Sequence, residues 1–172
     1  MLDSFLRTAK GMLEPMPDEA YPLLARHYGL ETLLMDWTHS LGVATFFAYA
    51  PFNDHDRAVV EFAPGSMLNL GYVVVIDDGL GLTKRLVAQS AYFFKLLRHT
   101  TLEDAFADFE AECAAKSRPM DASLTKFILP RKDRALALRF LRTFNVGYDT
   151  LFPDLIGAAQ MANLLRNDPD FA

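Results

Sequence analysis

The sequence predicts an α+β domain, with a small mixed β-sheet surrounded by helices. Three observations predict it. Short β-branched or apolar runs at residues 32–35, 57–63, 72–76 and 124–129 are bounded by Gly, Pro or Asp, which is how strands are punctuated. Runs at residues 1–14, 102–116 and 133–144 carry apolar residues at spacings of 3 and 4 and so read as helices. A chain of 172 residues, 51% hydrophobic with 14 Phe and 6 Tyr, holds enough apolar surface for one core, and a domain of this size buries about two-thirds of its unfolded surface.

Taken in order, Leu2, Phe5, Leu6, Ala9 and Leu13 give the first helix one apolar face, and Pro15 and Pro17 end it. Asp18 is the expected N-cap of a second helix that runs to His27, with Pro22 tolerated near its first turn and Gly29 supplying a left-handed stop. Residues 32–35 form a buried strand before Asp36-Trp37-Thr38. A helix starts near Ser40, capped by Ser40 or Thr38, and is apolar nearly all round to Tyr49, where Pro51 closes it.

Two strands follow at residues 57–63 and 72–76, separated by Pro64-Gly65 and closed by residues 77–79; the second is continuously apolar and is expected at the centre of the sheet. Residues 82–97 fit neither period. The run at 102–116 is the clearest helix, capped by Thr101, with Leu102, Ala105, Phe106, Phe109 and Cys113 on one face and acids around the rest. A strand at 124–129 stops at Pro130, an amphipathic helix spans 133–144 before Gly147, and a last helix opens at Asp154 or Gly157. The expected organisation is a single domain over 1–172, with an N-terminal helical segment at 1–29 and a motif-bearing core at 30–160.

Composition removes several classes. One cysteine, Cys113, makes no internal disulfide, and no apolar run approaches the ~18 residues of a membrane span. No basic segment followed by an apolar one opens the chain, so cytoplasmic residence is the expectation. A net charge of -5 argues against a general affinity for nucleic acid, although Arg131, Lys132, Arg134, Arg139 and Arg142 make one local basic helix that suits a nucleic acid, a partner or solvent. Four scattered histidines give no paired spacing, so no metal site is expected.

Three separated stretches resemble the FRG domain, a family of mostly bacterial and phage-associated proteins. The first holds His27-Tyr28-Gly29-Leu30, Thr32, Leu34, Asp36-Trp37-Thr38, Ala44 and Phe47-Ala48; the second Arg85, Ala88-Gln89 and Phe93; the third Leu151-Phe152-Pro153-Asp154-Leu155 and Gly157. Together they span about residues 18–160. The chain departs from the family pattern at Arg26, Glu31, Leu33, Ala91 and Ile156, and the Phe/Tyr-Arg-Gly motif that names the family, which lies upstream of the His-Tyr-Gly stretch in the family, is not present. A truncated or minimal member is the corresponding expectation. The resemblance implies a role in phage biology or defence; a protein partner or a second copy of the chain, covering apolar surface left by a missing N-terminal segment, is a separate expectation.

A strand ending in Asp-Trp-Thr, a helix beginning with Ser and a later Arg-x-x-x-Gln are reminiscent of ADP-ribosyltransferase folds, which makes NAD the candidate ligand. Cleaving an N-glycosidic bond develops positive charge on the sugar, which a carboxylate stabilises. Asp36, Arg85 and Gln89 are therefore the candidate catalytic residues, Gln89 through its amide on a ribose hydroxyl. Arg85 and Gln89 share a face whether their segment is helix or strand, because four residues satisfies both periods; Arg85 equally suits pairing with a surface acid. Candidate ligand contacts are His27, Tyr28, Trp37, Thr38 and Ser40. Each has a structural alternative: His27 at a helix end, Tyr28 and Trp37 in the core, Thr38 and Ser40 as caps. Two other functions fit the same chain, a non-catalytic protein-interaction module and a nucleic-acid-binding accessory domain.

Overall fold

The computed structural model describes residues 1–13, 16–52, 54–76 and 83–167, apart from the side chains of Glu19 and His27. Along these residues run α1 (Leu2–Thr8), α2 (Tyr21–His27), β1 (Leu34–Thr38), α3 (Leu41–Tyr49), β2 (Arg57–Ala63), β3 (Val73–Ile76), α4 (Lys84–Ala88), β4 (Ala91–Leu96), α5 (Leu102–Ala115), β5 (Ser123–Leu129), α6 (Arg134–Thr143), α7 (Tyr148–Leu151) and α8 (Leu155–Asn167). The fold class is α+β.

The strands form two antiparallel sheets rather than one mixed sheet: three strands in the order β1-β4-β3, and β2 paired with β5. The centre of the larger sheet is β4, which the periodicity hid. Residues 84–96 are a five-residue helix and a six-residue strand joined at Gln89-Ser90, with Ser90 at φ +48, so no single period runs through them. Conversely, the apolar run expected at the centre is the edge strand β3. Val73 is buried there, but Val74 and Val75 are each 38% exposed. The stop expected at residues 77–79 lies outside the described residues.

Other boundaries differ for local reasons. Helix α1 ends at Thr8, and Gly11 turns the chain at φ +84, so the helix is much shorter than its apolar pattern. Asp18 does not cap α2; it begins a 3-10 turn after Pro17, and α2 has no side-chain cap. Gly29 takes the expected left-handed conformation at φ +89. Strand β1 starts two residues later than expected and absorbs the polar triplet, with Asp36 opposite Phe93, Trp37 opposite Tyr92 and Thr38 opposite Ala91. Strand β2 and the α5 cap agree with the sequence: Asp104 N donates to Thr101 Oγ1 at 3.1 Å.

Three apolar clusters hold these elements. One joins α3, α6, α7 and α8 through Val43, Phe46, Tyr49, Leu138, Leu141, Leu151, Met161 and Leu164. A second packs the sheets against α5 through Phe62, Tyr72, Val73, Phe94 and Phe109. A third joins α2, β1, α4 and β4 through Leu23, Leu34, Leu86 and Phe93. Tyr72 OH donates to Glu112 at 2.7 Å, which fixes β3 to α5. Burial first, then that hydrogen bond, pushes the phenol up to about 12, and Lys116 followed by Tyr72 holds Glu112 down to about 2.

Arg134, expected on a basic surface, is buried instead. Its Nε donates to Tyr49 O at 2.7 Å and its Nη2 to Ala50 O at 3.2 Å, so a cation satisfies carbonyls at the C-terminus of α3, where the helix dipole favours it. Arg142 pairs with Asp149 and Arg131 with Asp54, so these two basic side chains, like Arg134, are engaged within the fold. Gly157 sits where α7 turns into α8, and a Cβ there would overlap the Phe152 carbonyl oxygen and lie 2.6 Å from Tyr148 O.

Two stability measurements check this account. Arg134→Met strands the α3 carbonyls and should cost about 1–3 kcal/mol in urea denaturation, the usual penalty for buried unpaired polar groups; an unchanged midpoint would mean that water reaches them. Gly157→Ala should cost about 1–3 kcal/mol or more, since backbone oxygens and not flexible side chains must move.

Candidate functional site

The polar triplet in β1 and the short helix α4 face the same cleft of about 710 Å³. Asp36, Trp37 and Thr38 come from β1, Arg85, Leu86 and Gln89 from α4 and its end, Ala44, Phe47 and Ala48 from α3, residues 58–60 from β2, and Phe152 from the end of α7. Five sequence candidates therefore meet: Asp36, Trp37, Thr38, Arg85 and Gln89. Tyr28 is 70% exposed and Ser40 accepts from Val43 N at 3.3 Å as the α3 cap; neither lines the cleft. The side chain of His27 lies outside the described residues.

Thr38 and Gln89 bind each other before any ligand. Thr38 Oγ1 donates to Gln89 O at 2.7 Å and accepts from Ser40 N at 3.0 Å, so one hydroxyl fixes the turn into α3 and the end of α4. The Gln89 amide donates to Leu151 O at 3.1 Å, tying α4 to α7. Its carbonyl oxygen has no hydrogen-bond partner among the described residues, which leaves one acceptor on a side chain already held in place.

Two arginine–aspartate pairs belong to this cleft. Arg26 Nε donates to Asp36 Oδ2 at 3.0 Å, and its Nη2 reaches the same carboxylate. That carboxylate raises the Arg26 guanidinium further above its ordinary value. Arg85 Nε donates to Asp154 Oδ2 at 2.7 Å, and its guanidinium lies 5.1 Å from the Phe152 ring centroid. Asp154 also accepts from Ile156 N and Gly157 N at 2.9 and 3.0 Å, capping α8. The Gly157 amide first, then Arg85, holds the Asp154 carboxyl below its ordinary range. Both cations face acids through Nε and Nη2, a planar pairing that leaves guanidinium donors over for a ligand.

The remaining walls are apolar. Trp37 packs edge-on to Phe94 at 5.4 Å and tilted to Phe62 at 5.8 Å, so the only tryptophan is both a core anchor and a cleft wall. Its indole nitrogen is buried with no partner among the described residues. Phe47 and Phe152 meet edge-to-face at 5.9 Å. Sequence reasoning did not single out Arg26, Phe47 and Phe152 as site residues. Phe47 and Phe152 stand inside the quoted motifs but read as core, and Arg26 meets Asp36 only because α2 folds back on β1. Among the described residues no group of His, Cys, Asp and Glu has the arrangement of a metal site, and no helix is long and apolar enough to cross a membrane.

The Asp154 geometry carries a pH dependence. Its folded value is depressed, so its stabilising contribution is present above the unfolded carboxylate value and is lost as pH falls through the folded one. The stability difference between the wild type and Asp154→Asn should therefore be full near neutral pH and shrink below the ordinary carboxylate range, read by urea denaturation at stepped pH. A difference that does not change with pH would remove the charge pairing from the account.

Comparison with known proteins adds one finding. The family model of the FRG domain matches residues 1–57, which takes in Arg26, Asp36, Trp37, Thr38, Ala44 and Phe47 and stops before Arg85, Gln89 and Phe152. No curated protein and no solved structure matches the chain. The chain carries an FRG-domain match over residues 1–57, about a third of its 172 residues, and that match contributes one side of the cleft.

Proposed function

We propose that the cleft binds a nucleotide, with NAD as the first candidate, in a domain of ADP-ribosyltransferase-like form. The observation that carries this reading is the meeting of Trp37, Thr38, Arg85 and Gln89 with Phe47 and Phe152 around one cavity of about 710 Å³. A volume of this size lies within the range of about 300–1,000 Å³ typical of small-molecule sites. Aromatic and aliphatic walls suit a flat ring, and the unspent donors of Arg26 and Arg85 suit phosphate oxygens. The open acceptor of Gln89 suits a ribose hydroxyl.

Binding is better supported than turnover. Glycosidic cleavage needs negative charge next to the sugar, and the carboxylate on this cleft, Asp36, is neutralised by Arg26. Transfer chemistry would require the incoming ligand to draw Arg26 away, freeing Asp36. A non-catalytic binding or interaction module is the second reading, and the pairing of both arginines with aspartates favours it. The phage- or defence-associated role implied by the FRG resemblance is compatible with either.

Trp37, the single tryptophan, makes the test direct. Titration with NAD should quench its fluorescence, Arg85→Ala should weaken the apparent affinity about tenfold or more, as expected for loss of a charge-assisted contact of about 1.5–3 kcal/mol, and Asp36→Asn should abolish any nicotinamide release. Quenching without release would leave a binding module. No quenching and no heat of binding with NAD, AMP or ADP-ribose would remove the nucleotide reading.

A further inference from the structure

We infer that the fold holds a second small-molecule site, a cavity of about 220 Å³ between the C-terminal end of α3 and α8, which takes a single uncharged ring whose edge carries an N–H beside a carbonyl. It is independent of the nucleotide reading of the cleft. Phe52 stands just beyond α3, Arg134 opens α6, Tyr148 opens α7, and Gln160, Asn163 and Asn167 come from α8, where spacings of 3 and 4 put the three carboxamides on one side of the helix. Helix α7 serves both cavities: Tyr148 lines this one and Phe152, four residues on, lines the cleft, with their ring centroids 5.9 Å apart. A cavity of about 220 Å³ lies below the range of about 300–1,000 Å³ of drug-sized sites, so it suits one ring and not a dinucleotide.

The observation that points to a ligand is Gln160. This residue lines the cavity, and its carbonyl oxygen is buried with no hydrogen-bond partner among the described residues. Turning the amide over would strand its NH₂ in the same place, so the mismatch belongs to the site and not to one orientation. A buried polar atom left unmatched is costly and native folds keep few of them, so an occupant that donates there is favoured. Asn163 and Asn167 add two more carboxamides, and each carboxamide offers a donor and an acceptor in one plane, the complement of a cis-amide edge. Charge argues for a neutral occupant. Among the described residues Arg134 is the one charged group in the lining, and its guanidinium is met by Tyr49 O and Ala50 O at 2.7 and 3.2 Å, with the Phe52 ring centroid 5.3 Å away. Burial pushes the Tyr148 phenol up, against the pull of Arg134, which keeps that wall an uncharged hydroxyl. The rings of Phe52 and Tyr148 supply apolar surface for a flat ligand. A lactam such as uracil and an aryl carboxamide such as nicotinamide both present the required edge, and the probes separate them.

The test titrates the whole protein with uracil, nicotinamide, pyridine and benzoate by calorimetry and thermal shift. Uracil or nicotinamide should bind in the micromolar to millimolar range expected of a single ring, about tenfold or more tighter than pyridine, which lacks the N–H, or benzoate, which carries a charge. Gln160→Met should weaken that ring about tenfold or more while the Tm of the ligand-free protein holds or rises, because the unmatched oxygen is gone. Asn163 is exposed, so Asn163→Leu should fold as the wild type does and weaken the same ring. Arg85→Ala, in the cleft, should leave the affinity unchanged. A preference for benzoate, equal binding of all four compounds or no binding by any of them overturns the proposal, and so does binding that both α8 variants leave intact or that Arg85→Ala removes. A lower ligand-free Tm in Gln160→Met would show that a held water already satisfies the oxygen, and it too overturns the proposal. None of these results touches nucleotide binding in the cleft, which Trp37 fluorescence reads separately.

Discussion

Two long-range hydrogen bonds of Gln89 set the shape on which the site depends. Its main-chain oxygen receives the Thr38 hydroxyl and its amide reaches Leu151 O, so one residue holds the end of β1, the end of α4 and the end of α7 in a fixed relation. One turn earlier, Arg85 binds Asp154 at the start of α8. A five-residue helix has little stability of its own, because nucleation is costly and few bonds follow it. These tethers are what keep α4 in position, together with Leu86 in the third apolar cluster and the Thr83 cap.

The cleft lies where the three apolar clusters come together. Of the residues that line it, Phe93 and Leu86 belong to the cluster around α2 and β1, Trp37 packs against the cluster under α5, and Phe152 packs against the helical cluster of α3, α6, α7 and α8. The two sheets are not paired with each other, and the cleft is lined from both, by residues 36–38 of β1 and 58–60 of β2. Electrostatics follow the same division. Arg26–Asp36 ties α2 to β1, and Arg85–Asp154 ties α4 to α8, so each ion pair secures an approach to the cleft. Part-exposed pairs of this kind add little to global stability, and their contribution here is to position side chains.

Much of this was legible in the residues, for identifiable reasons. The strand over Arg57–Ala63 is bounded by Pro64-Gly65 and is rich in β-branched residues, and the helix over Leu102–Ala115 has a cap and an apolar face in phase, so local signals and fold agree. The convergence of Asp36, Trp37, Thr38, Arg85 and Gln89 was approached through motifs and through the parity of a four-residue spacing. What was hidden is tertiary. Strand β4 was masked because helix and strand share one apolar segment with a two-residue joint. The burial of Arg134 was unreadable because its partners are carbonyls some 85 positions away, and a basic residue on an amphipathic helix normally marks solvent.

The anchoring of Gln89 has a consequence for how this cleft can diversify. The same side chain that offers an acceptor to a ligand also holds α7, so exchanging it to alter recognition loosens the scaffold at once. Phe47 on α3 and Phe152 beyond α7 carry no such hydrogen-bonded duty, and their volume can change with only local repacking. Drift in ligand preference should therefore accumulate at the aromatic walls, while the polar floor stays constrained by folding rather than by chemistry.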